Sequence, residues 1–212
     1  MSLSHSPGRP DPTPGTSRLP LALAGVWLGV ALAGWVAMTW FATRPGGDPG
    51  APAKWPVASA LVTTEGGSTL VVFAHPKCPC TEASVAELAR IMEVCPPAVT
   101  ATVVFTQPPG VDEAWTKTRL WNLVGEIPRV RRMVDVEGRE AIRFGAATAG
   151  RTLLYAANGE LLFAGGITQS RGHRGDNPGE TAILALLRGE PAATPSTPVF
   201  GCPLFKVATN LP

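Results

Sequence analysis

Apolar and polar positions divide this chain into three regimes. The first is an apolar run from Leu21 to Ala42, with no charge and no polar face. It is long enough to cross about 30 Å of hydrocarbon. It is too long for the apolar core of a cleaved signal peptide, about 7–15 residues. Trp40 and Phe41 at its far end suit a membrane interface. The run predicts a single transmembrane helix over 21–42, an uncleaved signal anchor. On either side, residues 1–20 read as a disordered Ser/Pro/Gly-rich segment and residues 43–56 as a flexible linker.

The second regime runs from Val57 to Gly189, where strand and helix patterns alternate. Leu70–Ala74 is a continuous apolar run, as expected of a strand buried on both faces. Over Pro79–Glu93, Val85, Leu88, Ala89 and Met92 fall at helical spacing, with Glu87, Arg90 and Glu93 opposite. Val99–Thr106 reads as a second buried strand, and Asp112–Val124 as a helix that places Trp115 and Trp121 in the core. Val130–Val134 is a short strand, and a helix near Glu137–Phe144 stops at Gly145. Thr152–Ala156 and Glu160–Ala164 flank Asn158-Gly159, a hairpin turn signal. Asn177, Pro178 and Glu180 mark the start of a last helix, which Gly189 closes. The predicted order, β-α-β-α-β-α-β-β-α, describes an α/β domain over 57–189 with a central mixed sheet flanked by helices. The third regime, 190–212, is a Pro-rich C-terminal tail.

The chain has 18 basic and 16 acidic residues and a net charge of +2, which excludes an electrostatic footprint for nucleic acid. Its four cysteines, Cys78, Cys80, Cys95 and Cys202, are too few for a disulfide scaffold and lack zinc-finger spacing. Arg9 and Arg18 precede the apolar run, and Arg44 and Lys54 follow it, so basic residues alone do not orient it. A redox-active cysteine pair favours an extracytoplasmic domain, where disulfides persist.

The candidate chemistry lies in His75-Pro76-Lys77-Cys78-Pro79-Cys80, where a strand hands two thiols to the start of a helix. Helix N-terminal N–H groups stabilise a thiolate and lower its pKa. The residue before a proline is extended, so Cys78 fits the N-cap with Pro79 at N1. Cys78 then reads as the exposed nucleophile and Cys80 as the resolving thiol. A disulfide across one intervening residue is strained, hence more oxidising. Lys77 would add positive charge. His75, Cys78, Cys80 and His173 form an alternative ligand set for a soft ion such as Cu(I). Cys95 reads as structural. Cys202 has two open partners: Cys95 in a structural disulfide, or the Cys78/Cys80 site as a third thiol.

The element order, with Val71-Val72-Phe73 leading to Cys78 and with Thr152-Leu153-Leu154 through Asn158-Gly159-Glu160 as a terminal hairpin, resembles the thioredoxin fold. The chain is most similar to its longer, membrane-tethered thiol–disulfide oxidoreductases, and to RedB-like bacterial proteins. The resemblance covers roughly 57–189. It implies catalysis by Cys78 and Cys80, with protein thiols or disulfides and an unidentified redox partner as partners, and no cofactor. It also implies a single-pass protein of the bacterial inner membrane with a periplasmic C-terminal domain. Two departures stand out. Cys-x-Cys replaces Cys-x-x-Cys, and Arg151 occupies the position of the family's cis-proline. Peroxiredoxins, on the same fold, set an arginine beside the reactive cysteine. The resemblance therefore also implies Arg151 as a catalytic residue and a peroxidase as a further alternative, beside a copper chaperone or sensor and a fold relative without chemistry.

Overall fold

The computed structural model describes residues 18–205. The N-terminal segment up to residue 17 and the last seven residues of the tail lie outside the described residues. The chain forms two compact units with the boundary between Trp40 and Phe41.

Helix α1 (Arg18–Thr43) buries none of its residues and reaches a mean hydropathy of 2.0. It is long and apolar enough to cross a membrane and lies near the N-terminus, as a single-pass anchor or a signal sequence does.

The second unit is built on five strands: β1 (Thr69–Ala74), β2 (Thr100–Gln107), β3 (Val130–Val136), β4 (Thr152–Tyr155) and β5 (Leu161–Gly165). They form one sheet in the order β3-β2-β1-β4-β5. β1, β2 and β3 are parallel, with Val72 opposite Val103 and Val103 opposite Arg132. β4 runs antiparallel to β1, and β5 antiparallel to β4. The helices are α2 (Pro79–Val94), α3 (Arg119–Gly125), α4 (Arg139–Arg143) and α5 (Pro178–Leu187). A parallel β1-α2-β2 crossover joined through β1 and β4 to an antiparallel β4-β5-α5 unit is a thioredoxin-like fold.

Every residue of β1 is buried, as its unbroken apolar run requires. Leu70 and Val72 face a core formed with Leu88 and Ile91 of α2, Val124 of α3 and Ile183 of α5. Val71 and Phe73 face the opposite core, with Ala141 of α4, Phe144, Leu153 and Tyr155. Asn177 caps α5, its side-chain oxygen accepting from the Glu180 amide at 2.8 Å. Gly159, with φ of 78°, closes the β4–β5 turn where a positive φ is needed.

Four readings of the sequence are corrected. The helix expected over Asp112–Val124 is broken into a 3-10 turn at Glu113–Trp115 and α3. Thr118 is extended at the break, and its hydroxyl donates to the Pro76 carbonyl at 3.1 Å instead of continuing the helix. Trp121 does pack on the core, but Trp115 stays half-buried outside it. Glu87 is buried rather than solvated, because the Gly175 amide donates to it at 2.8 Å and Arg90 pairs with it. The 43–56 segment is not a free linker. Gly46 N–H donates to Val199 at 2.8 Å, Thr148 Oγ1 donates to Gly47, and Asp48 pairs with Arg151. Tyr155 donates to Pro52, and Trp55 stacks edge-on against Phe144 and Tyr155. Apolar and aromatic side chains here had a core face to cover, which composition alone did not reveal.

Candidate functional site

Cys78 sits at the N-cap of α2 with φ of −99° and ψ of 121°, the extended geometry that Pro79 at N1 demands. The turn before it is braced from several sides. Cys78 N–H donates to the His75 carbonyl at 3.1 Å, and Lys77 N–H donates to His75 Nδ1 at 3.3 Å. The His75 ring meets Trp115 edge-on at 5.4 Å, and Lys77 Nζ lies 5.0 Å from the centre of the same indole. Trp115 therefore holds the turn that presents the thiol.

Three sulfurs converge. The ligand atoms of Cys78, Cys80 and Cys202 all lie within 4.8 Å of one another, and Cys78 Sγ is 2.8 Å from Cys202 Sγ. Cys202 is brought there by the C-terminal segment, which runs back across the domain. Of its two open partners, then, Cys202 meets the Cys78/Cys80 pair. Cys95 is buried on its own at the end of α2. There Arg129 donates to the carbonyls of Met92, Pro96 (2.9 Å) and Val99 (3.0 Å) and holds the helix end.

The thiols differ electrostatically. Burial pushes the Cys78 thiol up, but hydrogen bonds from Cys202, both thiol and amide, and from the amides of Thr81 and Cys80 outweigh it, and the pKa falls below its ordinary value. Burial raises Cys80, and the neighbouring Cys78 charge raises it further. Burial and its hydrogen bond to Cys78 push Cys202 up to about 12. Cys78 is therefore the most acidic of the three thiols, and Cys202 holds its proton most tightly. The arginine that draws Cys80 and Cys202 down is Arg171.

Cys78 is only 4% exposed, so it is not the open nucleophile expected from its position; the returning segment covers it. It still lines a groove of about 270 Å³ with Lys77, Glu82, Thr118 and Arg119, which neither Cys80 nor Cys202 reaches. A larger cleft of about 650 Å³ lies alongside, between His75, Trp115, Gln107 and the segment's Pro203 and Leu204.

Arg151 is not in the cluster. Its buried guanidinium pairs with Asp48 at 2.5 Å and its charge acts on Tyr155, on the opposite core; only its carbonyl faces the site strand, accepting from Phe73. His75 is a turn histidine, as the brace described above requires. His173 is exposed, and the loop that carries it supplies Arg171 in its place, whose guanidinium donates to the Gly201 carbonyl. The sequence points to His173 on that loop and not to Arg171. Only the direction of the returning tail, a tertiary property, could have selected Arg171 and Cys202.

No protein-family model and no curated relative matches the sequence. Among solved structures, an uncharacterized conserved protein from Geobacillus kaustophilus is 20% identical. That match covers 79% of this chain and 95% of the other, at a TM-score of 0.57. A hypothetical protein from Sinorhizobium meliloti is 17% identical over 78% of this chain and 96% of its own, at 0.53. An exposed lipoprotein thioredoxin from Streptococcus pneumoniae is 17% identical over 59% and 87%, at 0.42. At these identities the first two matches bear on the fold alone, and the third is too loose to add to it.

Proposed function

We propose that this protein is a membrane-anchored thiol–disulfide oxidoreductase in which Cys78 is the attacking thiol and a neighbouring thiol of the cluster resolves. One observation carries the reading. Cys78 is a helix N-cap thiol with the Cys202 sulfur 2.8 Å away, and its pKa lies below the ordinary value in spite of burial. A stabilised thiolate with a second sulfur at 2.8 Å is what disulfide exchange needs: a nucleophile, and a thiol to release it from a mixed disulfide. The apolar helix near the N-terminus supports a single-pass anchor, and the membrane we propose for it is a bacterial inner membrane. Exchange chemistry supports a periplasmic domain, with protein thiols or disulfides as substrates. The peroxidase alternative loses its support with Arg151 committed to Asp48.

The test is exchange of a protein disulfide by the reduced full-length chain in detergent. Cys78→Ser should abolish exchange and Cys95→Ser should leave it intact. Exchange retained in Cys78→Ser would overturn the reading.

A second reading has one observation in its favour. Three sulfurs within 4.8 Å of one another offer a soft ion such as Cu(I) a trigonal set, Cys78, Cys80 and Cys202, in place of the histidines. Reduced protein that takes up one Cu(I) against a competing chelator, and loses it in Cys202→Ser, would establish that reading.

A further inference from the structure

We propose that Cys202 is the resolving thiol, delivered to Cys78 by a C-terminal strap rather than by the active-site helix. The inference rests on the oxidoreductase reading above and names the residue that completes its cycle.

The strap, residues 195–204, is fastened along its length. Thr197 Oγ1 donates to Gly166 at 2.7 Å, and Ala164 N–H donates to Pro195 at 3.3 Å. Val199 and Leu204 are buried. Around the cysteine the fastening is backbone to backbone. Ala149 N–H donates to the Cys202 carbonyl at 2.8 Å, and Leu204 N–H donates to Ala147 at 2.9 Å. Thr148 and Pro203 form an antiparallel bridge. The approach is so close that a Cβ on Gly201 would lie 1.9 Å from the Ala149 carbonyl oxygen. Ordering a terminal segment costs backbone entropy at every residue. These bonds and buried side chains offset that cost, and what they place is a sulfur 2.8 Å from Cys78.

The alternative resolver, Cys80, is worse placed for closure. A Cys78–Cys80 bond must close a small ring around Pro79, whose ring fixes its own backbone while Cys78 is held extended. A Cys78–Cys202 bond joins residues 124 apart and carries no such ring constraint. An incoming disulfide meets Cys78 from the groove that Cys202 does not line, so both sulfurs have room.

The step balances. The Cys78 thiolate attacks one sulfur of an incoming disulfide; a Cys78–substrate bond forms, the substrate S–S bond breaks, and the leaving thiolate takes a proton from water. The charge to which Cys202 donated is now gone, and its proton passes to solvent. The Cys202 sulfur attacks Cys78, the Cys78–Cys202 bond forms, and the remaining substrate sulfur leaves as thiolate. The substrate disulfide gains two electrons and the Cys78/Cys202 pair loses two.

The test treats the reduced full-length chain in detergent with one equivalent of oxidised glutathione, quenches with acid, alkylates and maps cysteines by mass spectrometry. The expected main product is a Cys78–Cys202 cross-link with Cys80 and Cys95 alkylated. A Cys78–Cys80 disulfide with Cys202 alkylated overturns the proposal. Cys202→Ser keeps a hydrogen-bonding hydroxyl but cannot form a disulfide. It should hold glutathione on Cys78 and release it at least about tenfold more slowly, the loss of an intramolecular nucleophile; release at the unaltered rate also overturns the proposal. Cys78→Ser that still reduces glutathione disulfide instead overturns the oxidoreductase reading itself, so the two failures are distinct.

Discussion

At the scale of single residues, Cys78 is set by opposing forces, and the balance tips on its neighbours. Burial raises its pKa; hydrogen bonds from Cys202 and from the first-turn amides lower it further than burial lifts it. Thiolate therefore forms at lower pH than in an ordinary thiol, and alkylation of Cys78 should rise through that lower pH and then level off. Cys202→Ala removes a donor and should move the rise to higher pH, slowing alkylation at pH 7 by roughly tenfold, the worth of one hydrogen bond to a charged group. Cys202→Ser, which keeps a donor, should restore most of the rate. Coincident pH profiles for wild type and Cys202→Ala would show that the contact does not tune the thiol. The N-cap placement of Cys78 was legible from Cys-Pro alone, because proline restricts both its own φ and the residue before it. The roles of Arg151 and Arg171 were not, since nothing local to either says which of two arginines the fold turns toward the sulfurs.

At the scale of elements, the strap and the loop leading into β4 form one short antiparallel pair, and at Gly201 they lie too close to admit a Cβ. Gly201→Ala drives a methyl into the Ala149 carbonyl, so the strap around Cys202 should lift while the sheet stays folded. Alkylation of Cys202 in the reduced protein should then quicken at least about tenfold, the worth of losing one or two hydrogen bonds, with the circular dichroism spectrum unchanged. Equal Cys202 alkylation in both proteins would mean that the strap is not held there. The strands, α2 and α5 were readable because their signals are local: an unbroken apolar run in β1, a capping pattern at Asn177, a turn pair at Asn158-Gly159. The 43–56 segment was misread, and the course of the strap left open, for one shared reason. Pro- and Gly-rich chain without periodicity looks free, yet fixed extended segments need no periodicity to lie along a domain edge.

For the whole molecule, the proposed Cys78–Cys202 bond would span 124 positions and so close four of the five strands, all but the central β1, in one covalent loop. Such a loop takes entropy from the unfolded chain, about 4–5 kcal/mol for a closure of this size. Oxidised full-length protein should therefore unfold at clearly higher urea than reduced protein, and Cys202→Ser should erase the difference. Equal midpoints for the two redox states would argue for the small Cys78–Cys80 ring, which constrains few residues. The fold class itself was legible, since the alternation of strand and helix signals dictates a crossover followed by a hairpin; the third thiol was legible only as one of two options for Cys202.

The bond from Gly46 to the Val199 carbonyl has a mechanical consequence. The chain comes into the domain and leaves it side by side, like the two ends of a drawstring. Tension applied between residues 46 and 205 loads that seam and the Thr148–Pro203 bridge before it reaches any strand of the sheet. A pull on the C-terminal end would peel the strap first and part Cys202 from Cys78 while the five strands remain intact.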